Sequence, residues 1–197
     1  MLKRLFDILF SSLGLIVIFP FLISSAIAIK LNSKGPIFYR GKRIGRYGKP
    51  FRIYKFRTMI ADAEKLGGHS TANDDPRITK TGKFVRKYKL DELPQLINVL
   101  KGEMCFVGPR PEVQHYVDMF TEEEKAILNV RPGITDWASL WNPDEGAILK
   151  GSQDPEKDYM EMIRPEKLKL QLKYVKKNSF WIDLKIILLT LKTIMIR

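Results

Sequence analysis

From Ile8 to Ile29 the chain carries 22 residues without a charge, rich in Leu, Ile, Val and Phe. At about 1.5 Å per helical residue such a run reaches roughly 33 Å, close to the ~30 Å hydrocarbon core of a bilayer. After Gly35-Pro36 the pattern changes. Imperfect alternation through Ile37-Phe38-Tyr39-Arg40, a Gly-rich basic turn from Gly41 to Lys49, and Phe51 to Arg57 predict a β-hairpin. Arg52, Lys55 and Arg57 fall among its polar positions. Gly41, Gly45 and Gly48 read as turn glycines, because a dinucleotide fingerprint must join a strand to a helix. Ile60 to Leu66 begins helically and passes into a loop rich in Gly, Ser, Asn and Asp. Leu93, Leu96, Ile97 and Leu100 then recur at i, i+3, i+4 and i+7, the stripe of a core-facing helix. Pro94 belongs in a first turn, so that helix should start near Asp91 to Leu93, and Gly102 marks its end. A short apolar strand leads to Gly108-Pro109-Arg110-Pro111. Thr121 and Glu124 have capping-box spacing ahead of a short helix to Asn129. Residues 142–156 read as loop. Pro165 to Lys177 reads as a basic amphipathic helix, and Asn178-Ser179 can cap a last helix from Phe180 to Ile196. The apolar face of that last helix belongs either in the core or, with a membrane segment present, partly at the lipid interface. The fold class is α+β, mostly helical: a membrane helix over residues 1–33, then a domain over 34–197 with a small hairpin and interfacial C-terminal helices.

The apolar run is too long for a signal peptide and leads into Lys30 and Lys34 without a small-residue cleavage pattern. A straight span has two features against it. Pro20, mid-run, removes a backbone hydrogen bond, and Ser24 and Ser25 can satisfy freed carbonyls. Both flanks are positive, with Lys3 and Arg4 before and Lys30, Lys34, Arg40, Lys42 and Arg43 after, so both ends favour the same side. A re-entrant helix broken at Pro20 meets both conditions.

Charge sharpens this picture. Residues 1–57 hold twelve Lys and Arg against Asp7 alone, a net of +11, and the other 140 residues add only +1. Such a block suits a solvated face, an anionic membrane surface or a phosphate-bearing ligand. No recognition helix or ribonucleoprotein-type motif points to nucleic acid. One cysteine, Cys105, forms no internal disulfide, and His69 and His115 offer no zinc-type cluster.

Candidate chemistry gathers between Gly82 and Pro111. Asp91 and Glu92 open the helix, where the dipole favours negative charge, and on their own they read as an N-cap and a first-turn acid. Their neighbours change that. Arg86 lies five residues before, and Arg110 sits in a turn that two prolines and a glycine restrict, as a phosphate-binding arginine requires. Carboxylates beside arginines can hold a magnesium ion and a diphosphate, and a carboxylate can attack phosphorus to form an acyl-phosphate. Lys55 and Arg57 are either surface charges or phosphate contacts. A non-catalytic basic membrane-surface scaffold is the rival reading.

Several segments, in order, closely resemble the bacterial sugar transferases, the monotopic phosphoglycosyl transferases that start glycan assembly on polyprenyl phosphate. They are Lys3-Arg4-Leu5-Phe6-Asp7 with its proline-containing apolar run, Gly35-Pro36-Ile37-Phe38, and Ile53-Tyr54-Lys55-Phe56-Arg57-Thr58-Met59. Leu90-Asp91-Glu92-Leu93-Pro94-Gln95-Leu96, Val107-Gly108-Pro109-Arg110-Pro111 and Arg131-Pro132-Gly133-Ile134-Thr135 complete the set. The resemblance implies a re-entrant helix with the globular part on the cytoplasmic face of the bacterial inner membrane. It implies Asp91 as the nucleophile on a UDP-sugar, with release of UMP. Glu92 matches its partner, with Mg²⁺ held by Asp91 and Glu92. Undecaprenyl phosphate is implied as acceptor, and downstream glycosyltransferases as possible partners. Lys55, Arg57, Arg86, Arg110 and Arg131 are implied as substrate or phosphate contacts. Larger relatives carry extra N-terminal membrane helices and a further domain, and the expectation here is the catalytic core alone. The sequence departs from the family pattern at Phe19, often Ser; at Asp136 and Ser139, within a segment often reading Gly-Trp-Ala-Gln; at Gln171, Asp in some members; and at Cys105, commonly Ser.

Overall fold

A computed structural model describes residues 1–196. Helix α1 runs over Leu2–Asn32. Two small antiparallel ladders follow. Strand β1 (Phe38–Tyr39) pairs with β4 (Lys55–Phe56), and between them β2 (Lys42–Ile44) pairs with β3 (Pro50–Arg52). The nested ladders are the expected hairpin, with Phe38 opposite Phe56. Instead of a helix, the stretch after it holds a bridge from Met59 to Ile78 and a 3-10 turn, Ala63–Lys65. Helix α2 spans Lys80–Lys87, its first turn capped by the Thr79 hydroxyl, which accepts from Gly82 N. A side chain on Gly82 would collide with the Thr58 carbonyl, so glycine is what lets α2 lie against the hairpin's exit.

The Asp-Glu segment differs from expectation. It forms a 3-10 turn, Leu90–Gln95, entered through Lys89 in the left-handed conformation (φ 56°), and only then becomes α3, Leu96–Lys101. Pro94 lacks an amide hydrogen and sits inside the tight turn, so regular α-helix begins after it. Gly102 (φ 82°) ends α3, as expected. The buried face departs in part from the leucine stripe: Leu96 is buried, Leu93 and Ile97 are half-buried and Leu100 is exposed, while Gln95, Asn98 and Val99 are buried as well.

Strand β5 (Cys105–Val107) pairs in parallel with β6 (Gly133–Thr135). Helix α4 (Gln114–Val117) and a 3-10 turn (Glu124–Asn129) lie between them. The Thr121–Glu124 capping box forms, with Thr121 N donating to Glu124 and Glu124 N donating to the Thr121 hydroxyl. Short helices α5 (Trp137–Trp141), α6 (Glu145–Ile148) and α7 (Pro155–Asp158) occupy a region expected in large part to be loop; Asp136, Asp144 and Asp154 cap them. A π-helical turn, Tyr159–Ile163, leads into α8 (Arg164–Lys177). Ser179 caps α9 (Phe180–Met195).

Helix α1 decides how this body meets its surroundings. It continues through Pro20 instead of breaking there: the proline costs a hydrogen bond, but the helix does not end. Both of its ends are docked on the same globular domain. At the start, Lys3 pairs with Asp183 at 2.7 Å and donates to the Val107 carbonyl and the Tyr174 hydroxyl, while the Asp7 carboxylate accepts from Phe106 N. Arg4 donates to the carbonyls of Val99 and Leu100, closing the C-terminus of α3. Further along, Leu22, Ala26 and buried Ile29 pack with Phe56 and Val85. Arg57 clasps the far end, donating to the carbonyls of Ser33 and Lys34 and to the Ser33 hydroxyl. The opposite face of α1 is bare, with Leu9, Leu13, Ile16, Val17, Phe19, Phe21 and Ile27 all exposed. Trp181, Leu188, Leu191 and Ile194 of α9 and Phe84 of α2 are exposed as well. Apolar exposure on this scale marks an interaction surface for lipid or protein.

Candidate active site

The site is assembled by one buried amide. Asn98 is fully enclosed; its Oδ1 accepts from Tyr54 N at 2.8 Å and its Nδ2 donates to the Arg52 carbonyl at 3.0 Å and to Glu103. This bolts α3 to the hairpin strand just ahead of Lys55. Lys55 Nζ therefore lies 3.2 Å from Asp91 Oδ2 and 3.2 Å from Glu92 Oε1. From the other side the Arg110 guanidinium grips Glu92 with both terminal nitrogens, NH1 to Oε2 at 3.1 Å and NH2 to Oε1. The sequence separation of Lys55, Asp91-Glu92 and Arg110 thus collapses into one ion cluster.

Its electrostatics follow from the geometry. Burial penalises a charged Glu92, but Arg110 and Lys55 outweigh it and hold its carboxyl well below the usual carboxylate range. Arg110 is pushed further up by Glu92, against its own burial. Lys89, at the left-handed entry to the turn, is lowered by burial while Glu92 opposes the shift. The cations are the better exposed members, with side-chain exposures of 31% for Arg110 and 20% for Lys55 against 7% for Asp91 and 13% for Glu92. An anion approaching from solvent meets the cations first. Asp91 lies on the floor, and its Oδ1 is buried with no hydrogen-bond partner.

The remaining expected residues fare differently. Arg86 donates to the Thr58 hydroxyl at 2.8 Å; burial lowers its pKa, and Asp91 is the foremost charge opposing that shift. It belongs to the edge of the cluster. Arg57 does not, because its guanidinium is engaged with the end of α1. Arg131 makes no side-chain hydrogen bond or ion pair among the described residues, and no contact joins it to the Lys55–Arg110 cluster. Sequence reading missed Glu112, Glu145, Tyr159 and Lys167, which form a second ion cluster beside the Arg110 turn; no local spacing signals them.

Magnesium ordinarily takes one or two protein carboxylates, several waters and substrate phosphates. Among the described residues no group of three metal-ligating side chains occurs. Glu92 is committed to Arg110 and Lys55, so among the described residues this cluster offers one free carboxylate oxygen, Asp91 Oδ1. That donor set fits a magnesium ion carried in with a diphosphate.

A family model, bacterial sugar transferase, matches residues 1–197. The chain belongs to this family. It is 36% identical over 197 residues to a UDP-N-acetylgalactosamine-undecaprenyl-phosphate N-acetylgalactosaminephosphotransferase of Aeromonas hydrophila, covering 98% of this chain and 44% of that protein. It is 39% identical over 196 residues to the UDP-glucose:undecaprenyl-phosphate glucose-1-phosphate transferase of Escherichia coli (strain K12), covering 96% of this chain and 39% of the relative. An uncharacterized sugar transferase of Bacillus subtilis (strain 168) is 36% identical over 195 residues, covering 99% of this chain and 88% of its own length. The chain thus spans less than half the length of the first two relatives. Those relatives differ in the sugar that their names carry, while the bacterial sugar transferase match runs through every segment that builds the ion cluster.

Proposed function

We propose that this chain is a phosphoglycosyl transferase that moves a sugar-1-phosphate from a UDP-sugar to undecaprenyl phosphate at the cytoplasmic face of the bacterial inner membrane. One observation carries the reading: an Asp-Glu pair set between Lys55 and Arg110, with a carboxylate oxygen of Asp91 unpartnered, in a chain matched throughout by the sugar transferase family.

Arg110 and Lys55 bind and orient the donor diphosphate. Asp91 attacks the sugar-bearing phosphorus, forming an O–P bond while the bond to the bridging oxygen breaks and UMP leaves with that electron pair. A phosphate oxygen of the lipid then attacks the same phosphorus, the aspartyl–phosphorus bond breaks, and a diphosphate-linked sugar results. The sugar–phosphate bond is retained throughout. Glu92 keeps Arg110 in place, fixing the guanidinium before the donor arrives. Bound Mg²⁺, taken up through Asp91, would supply neutralisation of diphosphate charge.

The two docked ends of α1 support a re-entrant placement. A helix crossing the bilayer would separate its ends, whereas here Lys3 and Ser33 are both tied to one domain. The bare apolar face of α1 then lies in lipid, with α9 contributing its exposed residues at the interface.

The purified protein should release UMP from at least one of a panel of UDP-sugars when Mg²⁺ and undecaprenyl phosphate are present. Asp91→Asn should lower turnover by at least about 10³-fold, and chelation should stop it. No UMP from any donor would leave a membrane-surface scaffold as the better account.

A further inference from the structure

Behind the Arg110 turn lies a buried lysine that the mechanism above does not use. Lys167, on α8, is 4% exposed. Its Nζ lies 2.8 Å from Glu112 Oε1, 3.0 Å from Glu145 Oε1 and 3.2 Å from the Tyr159 hydroxyl, and that hydroxyl itself donates to Glu112 at 3.3 Å. Burying an ammonium is costly unless it is paired, and here two carboxylates from different elements meet it. Glu112 is the important one. It follows Arg110-Pro111 directly, and its carbonyl accepts from Ile44 N of β2 at 2.9 Å. The turn is therefore held at the back by α8, underneath by the hairpin, and in front by the pairing of Arg110 with Glu92.

We propose that Lys167 is a positioning residue for Arg110: through Glu112 it fixes the Gly-Pro-Arg-Pro turn, and so the guanidinium that receives the donor diphosphate. The inference rests on the functional reading above. Proline at positions 109 and 111 limits how the backbone can adjust, so a displaced Glu112 displaces Arg110 with it. Bidentate recognition of phosphate tolerates little displacement. The π-helical turn that carries Tyr159 into this contact is a feature often found at functional sites.

The test is a double-mutant cycle on UMP release by the full chain, with thermal unfolding measured on every variant. Lys167→Met should raise the donor KM and lower kcat, together reducing kcat/KM at least tenfold, with the lipid-phosphate KM unchanged. Lys167→Arg should recover part of the loss. Glu112→Gln, which leaves Lys167 paired with Glu145, should act in the same direction and stands in for Lys167→Met should that variant fail to fold. In an Arg110→Lys background, which keeps a charge but loses the fork, either change should cost no more than about twofold further. Losses that multiply in full on that background would overturn the inference, as would folded variants with wild-type kinetics. A wild-type protein that releases no UMP would overturn the functional reading and this inference with it, an outcome distinct from a non-interacting cycle in an active enzyme.

Discussion

Glu92 shows how the partners of a side chain escape a reading of its sequence neighbours. Its adjacency to Asp91 marked it as half of a reactive pair, but in space both of its oxygens bond to Arg110 and one also faces Lys55. Glu92→Gln removes the charge that two cations share, and their residual repulsion should destabilise the fold by about 1–3 kcal/mol at neutral pH. The pH dependence follows from its lowered folded pKa. The stabilisation is complete above the unfolded value of about 4.3 and is lost as pH falls through the lower folded value. Denaturant titrations of wild type and Glu92→Gln should therefore differ by a constant amount from pH 6 to 8 and converge in acid. Arg57 illustrates the opposite case. In sequence it is one more cation beside Lys55, and nothing local separates an arginine that binds phosphate from one that clasps carbonyls. Lys167 was illegible for a related reason. It sits among lysines on a helix that reads as basic and amphipathic, and its partners are 22 and 55 residues away.

At the scale of elements, turn chemistry and caps were readable and burial was less so. The hairpin, the end of α3 at Gly102, the capping box at Thr121 and the Ser179 cap all rest on local rules that tertiary packing left intact. The leucine stripe of α3 held only in part, with Leu96 buried and Leu100 exposed, because that short helix packs against α1 and also buries a polar residue, Asn98. Periodicity assumes an apolar core and an aqueous outside, and this helix has neither arrangement. Ser179→Ala should cost about 1 kcal/mol by unsatisfying the Ile182 amide, read as a lowered denaturation midpoint with activity unchanged per folded molecule. Gly82→Ala should be more severe, because the added methyl meets the Thr58 carbonyl; it would move α2 and, through Arg86 and Thr58, the edge of the site. Loss of soluble expression, or a midpoint well below that of Ser179→Ala, is the expected outcome.

At the scale of the whole molecule, the sequence already held the topological contradiction, with basic flanks on both sides of an apolar run. The re-entrant placement proposed above resolves it without the expected break, because the helix is continuous through Pro20. It lies along one domain, docked by Lys3, Asp7 and Arg4 at one end and by Ile29 and Arg57 at the other. Cysteine labelling can test this with little background, since Cys105 is buried and burial pushes its thiol up to about 12. Leu2→Cys and Lys49→Cys should both react with a membrane-impermeant maleimide in inside-out vesicles and in neither case in intact spheroplasts. Labelling of one position only from outside would mean that α1 crosses the membrane. The donor sugar was not legible at any scale, because in the function proposed above the recognisable cluster would engage phosphates, the part that all such donors share.

The most direct test is the intact mass of the protein incubated with Mg²⁺ and a productive UDP-sugar in the absence of lipid phosphate, then quenched in acid. A mass increase of one sugar phosphate, located to the peptide containing Asp91, absent in Asp91→Asn and discharged by adding undecaprenyl phosphate, is the expected result. Full UMP release on adding the lipid, with no modified protein at any quench time and turnover retained in Asp91→Asn, would contradict covalent transfer through this carboxylate.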